Sequence, residues 1–199
     1  MARYTGPVQK KLRALGLESY GVYGTRKDKR VNQGFVRRRR VSAYGLQLKE
    51  KQKAKFIYGI LEKQFKNYYD KALDQEGVTG DNLVILLERR LDNVLYRSGM
   101  FLSRKQSRQA ANHGHFNVNG RKVDIPSFQV SQGDKVEWTE RGKKTTLFEI
   151  AQNNCKSIPA PHWIELEQTQ MQITVVTEPT ADDSEPEIDT TQIVELYSK

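Results

Sequence analysis

Side chains able to attack, shuttle a proton or hold a metal are few in this sequence: one cysteine, Cys155, and three histidines, His113, His115 and His162. No carboxylate is spaced to orient the histidines as acid–base groups, and His162, between Pro161 and Trp163, reads as structural. Cys155 has Asn154 and Lys156 beside it and no histidine close in sequence, so a catalytic thiol is a poor reading. One cysteine and three histidines leave little with which to build a zinc site. We expect no catalytic residue, no metal and no cofactor.

What the chain holds in quantity is fixed positive charge. Its 33 Lys and Arg against 24 Asp and Glu give a net charge of +9, distributed as a gradient. Residues 1–70 carry 18 basic and 5 acidic side chains, residues 71–164 carry 14 and 10, and residues 165–199 carry 1 and 9. A basic segment of that density concentrates polyanions and drives binding by counterion release. Charges interspersed only for solubility would not be so one-signed. The residues expected to touch RNA are Arg3, Tyr4, Lys10, Lys11 and Arg13, then Arg37 to Arg40, then Tyr44, Gln47, Lys49, Lys51, Gln52, Lys53 and Lys55. A second group comprises Arg104, Lys105, Arg108, His113, His115, Asn119, Arg121 and Lys122. Guanidinium forks suit phosphate oxygens, and tyrosines offer stacking faces to exposed bases. The plainer reading, a solvated charged surface, fits isolated lysines better than these clusters.

Such charges need elements to position them. Residues 1–40 have little periodicity and are interrupted by Gly16, Gly21, Gly24 and Gly34, so their order is expected to come partly from the surface they lie on. From Ser42 to about Leu73, the residues Ile57, Ile60, Leu61, Phe65, Tyr68 and Tyr69 recur at helical spacing and mark a core-facing stripe. Tyr68 and Tyr69 belong to that core in this reading. Gly77 to Gly80 breaks the pattern, and Asp81 is the expected N-cap of a second helix. Its stripe is Leu83, Leu87, Leu91, Val94 and Leu95, with Arg90 and Asp92 off it and Gly99 near its end.

Ser103-Arg104-Lys105-Gln106 has the form of a capping box that starts a third helix. Arg104 and Arg108 then share one face, Ala110 and Ala111 permit close packing, and Asn112 to Gly114 ends it. His115 to Val118 alternates polar and apolar, Asn119-Gly120 is the favoured type I′ turn, and Arg121 to Val123 returns. Gln132-Gly133-Asp134 makes a further turn before the strand Lys135 to Trp138. A capped basic helix beside a hairpin tipped with Asn119, Arg121 and Lys122 suits the shaped phosphate backbone of folded RNA. The acidic stretch Glu178 to Asp189, with Pro179 and Pro186, is expected to be a mobile solvent-facing segment.

The ordered strings Arg90 to Leu95, Ser103 to Ala110, Gly114-His115, Val118-Asn119-Gly120, Val123 and Gly133-Asp134 closely resemble the S-four RNA-binding domain. Met1 to Tyr4 with Gly6-Pro7, Tyr44 to Lys53, Tyr58-Gly59 to Tyr69, and Ile193 to Lys199 extend the resemblance to the bacterial-type ribosomal proteins of that family. The resemblance covers nearly the whole chain. It implies a structural protein that binds small-subunit ribosomal RNA first, at a multi-helix junction of the 5′ domain, and nucleates assembly there. It also implies that Arg37, Arg38 and Arg40 lie where messenger RNA enters, beside neighbouring small-subunit proteins of which the S-five type is the foremost, with a bearing on translational accuracy. The chain departs from many members in lacking a four-cysteine zinc knuckle. It also has Val31 to Phe35 where other zinc-free members carry Pro-Gly-Gln-His-Gly.

The expected fold class is α+β. Residues 1–91 form a mainly helical basic domain, 92–155 the helix–hairpin module with a short antiparallel sheet, and 156–199 strands, the acidic loop and a C-terminal segment packed back on the body. Two alternatives share the module: an RNA-modifying enzyme and a ribosome-associated stress factor. The enzyme would need a catalytic domain, and the roughly 80 residues before Asp81 hold no paired carboxylates and no glycine-rich phosphate loop. No apolar run reaches the ~20 residues of a membrane span, and Met1 to Tyr4 lacks an apolar signal region, so the expected location is the cytoplasm, with an organellar ribosome as the alternative, and no membrane partner.

Overall fold

The computed structural model describes Tyr4, residues 6–17 and residues 42–198. These residues divide into two compact units, one from the start of the described chain to Phe65 together with Pro186 onward, the other from Lys66 to Glu185. Residues 156–185 thus cluster with the module and only the last residues with the N-terminal helices.

In the first unit, α1 (Val8–Leu15) buries Leu12 and Leu15 and exposes Lys10, Lys11 and Arg13. It ends at Gly16, whose φ of 75° lets the Gly16 and Leu17 amides bond back to Arg13 and Leu12. Helix α2 (Ala43–Ile57) starts at Ser42, whose hydroxyl accepts the Gly45 amide at 3.1 Å. The long helix expected from Ser42 to Leu73 is in fact two. Gly59 at φ 64° closes α2, with Ile60 N–H donating to the Lys55 carbonyl at 2.9 Å, and α3 (Glu62–Leu73) follows. The C-terminal α9 (Thr190–Tyr197), capped by Asp189, packs on α2 around Ala54, Ile57, Phe65 and Ile193.

The second unit is built on α4 (Thr79–Glu88), α5 (Leu91–Arg97), α6 (Arg104–Asn112) and a five-stranded antiparallel sheet. Its strands are β1 (Phe116–Val118), β2 (Arg121–Val123), β3 (Lys135–Trp138), β4 (Ile164–Glu167) and β5 (Gln172–Val175), in the order β2-β1-β3-β5-β4. Two further helices, α7 (Glu140–Lys143) and α8 (Thr146–Cys155), connect β3 to β4. With a helical N-terminal region and this sheet, the fold is α+β. The core gathers Leu91, Val94, Leu95, Phe101, Phe116, Val136, Trp138, Trp163 and Ile173. Tyr68 and Tyr69 are buried, as their spacing predicts.

Two expectations change here. Helix α4 begins at Thr79, so Asp81 lies in its first turn, where it faces the positive end of the helix dipole, and is not the cap. The expected second helix also breaks at Arg89-Arg90. Arg90 is extended (φ −68°, ψ 137°) and bridges to Gln129 before α5 starts.

Candidate nucleic-acid interface

The basic helix α6 is positioned by buried charge. Arg90 is fully buried and donates Nε and Nη2 to the two carboxylate oxygens of Asp92 at 3.0 and 2.7 Å, and Nη1 to the Tyr68 hydroxyl at 2.9 Å. Burial disfavours its charge, but Asp92 and Tyr68 outweigh that and raise its pKa above the ordinary arginine value. A second cluster centres on Glu88, also fully buried, which accepts Nε and Nη2 of Arg97 at 2.9 Å and the Asn93 amide at 2.7 Å. Arg97 is likewise held above its ordinary value, with burial opposed by Glu88. Helix α6 plugs into both clusters. Arg104 donates to Asn93 at 2.7 Å and to Glu185 at 2.7 Å while stacking on Tyr96 at 4.3 Å. The Ser107 hydroxyl donates to the Asp92 carbonyl at 2.6 Å, and Arg108 reaches the Asp92 carboxylate at 3.4 Å. For Arg108, burial and the neighbouring Arg90 outweigh Asp92 and lower its pKa.

The string Arg90 to Asn93 is therefore a latch for α6, and its polar residues point inward. Arg104 and Arg108 follow suit: neither is a freely exposed fork, because Glu185 and Asp92 already hold them. The side chain of Glu185 is only 12% exposed. The acidic stretch is thus no loose tail. Glu178 pairs with Arg89 at 3.0 Å, Asp183 with His162 at 3.3 Å, and Thr180 and Asp183 complete a capping box on a short 3-10 turn, Ala181–Asp183. Counter-charge holds this stretch in place, together with the buried Pro179.

The rest of α6 and the hairpin after it carry further basic residues. Ser103 caps the helix by accepting the Gln106 amide at 3.3 Å, which is the serine half of the expected box. Lys105 and His113 are exposed, Gly114 turns the chain at φ 68°, and His115 follows, half-buried. The hairpin forms as read: Val118 pairs Arg121 across Asn119 (φ 50°) and Gly120 (φ 76°), the type I′ geometry, leaving Arg121 and Lys122 exposed. Asn119 also works inside the fold, since its amide donates to Asp134 at 2.7 Å and accepts the Lys135 N–H at 2.9 Å. Lys122 folds back over Gly114, leaving no room for a Cβ there. His113 and His115 have ring centres 5.9 Å apart. Partial burial, and then the charges of His113, Arg141 and Lys122, push the His115 pKa down. Arg141 was missed in the sequence, although the run Arg141-Gly142-Lys143-Lys144 signals it.

In the first unit the basic turn of α2 is partly neutralised. Lys51 and Lys55 donate to Glu62 at 2.8 and 2.6 Å, and Lys53 pairs with Glu50 at 2.7 Å. Gln47, expected on the RNA side, is 4% exposed with its amide on Glu195 at 2.8 Å, so it is a packing residue here. Lys49 and Gln52 are half-buried, and the Lys49 ammonium lies beside Gly16. Tyr44 is 58% exposed and Tyr4 37% exposed, the latter edge-on to Phe56. Among the described residues, the exposed cations of this unit are Lys10, Lys11 and Arg13 on α1 and Lys63 on α3. Arg3 and Arg37, Arg38, Arg39 and Arg40 lie outside the described residues.

A family model described as the ribosomal protein S4/S9 N-terminal domain matches residues 3–88, and one described as the S4 domain matches residues 89–136. The small ribosomal subunit protein uS4 of Corynebacterium kroppenstedtii is 45% identical over 201 residues, covering 100% of both chains. Those of Chlorobium limicola and Corynebacterium jeikeium are 45% and 46% identical, again over 100% of both chains. The chain belongs to the uS4 family of small ribosomal subunit proteins. As a uS4-family member it is a structural ribosomal protein and not an enzyme, which sets the RNA-modifying alternative aside. The boundary between the two matched regions falls at Glu88-Arg89, beside the buried clusters that lock α6 in place. Among the described residues no helix is long and apolar enough to cross a membrane.

Proposed function

We propose that this uS4-family protein binds small-subunit ribosomal RNA directly, as one of the first proteins to do so, and nucleates subunit assembly at a multi-helix junction of the 5′ domain. The observation that carries the reading is full-length identity of about 45% to proteins named as small ribosomal subunit uS4, on a chain whose described residues expose cations on α1 (Lys10, Lys11, Arg13), on the hairpin (Arg121, Lys122) and from Arg141 to Lys144. In this reading Lys105, His113, His115, Arg121 and Lys122 form the grip of the second unit, and Lys10, Lys11 and Arg13, with Tyr4 and Tyr44 as stacking faces, serve the first. Arg104 and Arg108 hold α6 at the angle the grip needs. Arg3 and Arg39 add to the ribosomal RNA contact, while Arg37, Arg38 and Arg40 face incoming messenger RNA and neighbouring proteins of the S-five type, with an effect on accuracy. The protein works in the cytoplasm as part of the ribosome.

Filter binding of the full chain to 5′-domain ribosomal RNA across a salt series tests this. Log affinity should fall with log salt at roughly −0.7 to −0.9 per phosphate neutralised, several units in all. An affinity independent of salt would refute the electrostatic grip, and failure to co-sediment with salt-washed small subunits would refute ribosomal residence.

A further inference from the structure

The cations around His115 form a more specific arrangement than a basic surface requires. Gly114 ends α6 in a left-handed conformation, so the rings of His113 and His115 stand at 5.9 Å on either side of the turn. Lys122, from β2, lies across Gly114 with its Nζ 3.0 Å from where a Cβ would stand. From the other side, the Thr139 amide donates to the His115 carbonyl at 2.8 Å and fixes the start of α7. Gly142 lets α7 approach: a Cβ there would stand 2.9 Å from the same carbonyl. Arg141, the residue before Gly142, is thereby carried on α7 alongside the His115 segment and is exposed. Trp138 closes the inner side, its ring centre 6.4 Å from that of His115. Acidic groups are few around it. Asp124 has its Cβ near Gly114, and Glu140 of α7 is engaged by Lys143 at 2.8 Å.

We propose that His113, His115, Lys122 and Arg141 form one phosphate site at which RNA binding is coupled to proton uptake. The inference rests on the RNA-binding reading above and adds to it Arg141 and the proton. In the free protein partial burial, and then three neighbouring cationic or protonatable groups, hold the His115 pKa below its ordinary value. A phosphate seated among them supplies the missing negative charge, stabilises the imidazolium and turns the histidine into a second donor. The sign follows from linkage. The bound form holds its proton more tightly than the free form, so affinity rises as pH falls through the interval between the two pKa values and is flat outside it.

The test is RNA affinity of the full chain between pH 5.5 and 8.0 at constant ionic strength, with 5′-domain ribosomal RNA as probe. The wild type should bind more tightly at pH 6 than at pH 8, by up to about tenfold for each unit of the interval between the free and bound pKa values that lies above pH 6. His115→Gln should reduce the pH 6 to pH 8 affinity ratio, and His113→Gln/His115→Gln should bring it close to one. Arg141→Gln should weaken binding and raise the free His115 titration midpoint, followed by its ring-proton NMR signal. The same signal in the wild type, with and without RNA, needs no variant to fold: an upward shift of the midpoint on binding supports the coupling. Salt-dependent binding with no pH dependence, or an unmoved midpoint, overturns the proton-linked site and leaves the RNA-binding reading standing. Absence of RNA binding at every pH overturns that reading itself.

Discussion

Replacing Asp92 with alanine isolates the energetics of the latch under α6. Asp92 supplies both carboxylate oxygens to a fully buried Arg90 and a third contact to Arg108. Without it, the Arg90 guanidinium keeps only the Tyr68 hydroxyl and remains charged, since arginine does not deprotonate in proteins. Stranding one partner of a buried ion pair costs about 3–5 kcal/mol. For a chain of this size, each kcal/mol corresponds to about 2–4 °C, so the melting temperature should drop by roughly 6–20 °C. Urea titration of wild type and Asp92→Ala, followed by circular dichroism, measures the loss. The double variant Arg90→Met/Asp92→Ala should lose less than Asp92→Ala alone, because the stranded charge is gone. Glu178→Gln is the control, since that carboxylate is 55% exposed and its pair with Arg89 should contribute less than ~1 kcal/mol. A loss below about 1 kcal/mol for Asp92→Ala, or a double variant worse than the single, would refute the reasoning.

Arg104→Ala should lower stability by roughly 1.5–3 kcal/mol as well as RNA affinity, because Asn93 and Glu185 lose a charged partner; thermal melts show this, and an unchanged melting temperature would return Arg104 to the role of a free phosphate contact. Glu62 carries a pH signature. Partial burial pushes its carboxyl up, but hydrogen bonds from Lys51 and Lys55 outweigh that and hold it at about 2, against an ordinary 4.5. A depressed pKa gives stability that is present above pH ~4.5 and lost as pH falls towards 2. Because the side chain is half exposed, the effect should stay under ~1 kcal/mol. Stability measured from pH 6 to 2 should fall less steeply for Glu62→Gln than for wild type, and parallel profiles would show that the Lys51–Glu62–Lys55 cluster does not hold in solution.

Local signals in the sequence were enough for the elements with local causes. The hairpin at Asn119-Gly120 needs a turn with positive φ at both positions, and these two residue types supply it without outside help. The cap at Ser103 and the turn at Gly114 are of the same kind. The helix break at Gly59 was equally local, but the apolar spacing ran through it and hid it. The break at Arg90 was not local, since it depends on pairing with Gln129, 39 residues away. Charge was where reading along the chain misled most. The sequence shows Lys51, Lys55, Arg104 and Arg108 as cations on helical faces, and nothing in their spacing reveals Glu62, Glu185 or Asp92 as their partners.

By itself, then, the sequence was enough for the hairpin, the Ser103 cap, the α+β class, the basic gradient and membership of the family, because turns, caps, periodicity and composition are set by neighbours along the chain. Only the tertiary structure decided which cations are held inside and which stand open. It buried Arg90 with Asp92, drew the acidic stretch onto Arg89, Arg97 and Arg104, and set Lys122 and the start of α7 against the turn at Gly114 and His115. The physical reason is that a charge's role depends on what lies within a few ångströms of it, and for these residues that company comes from distant parts of the chain.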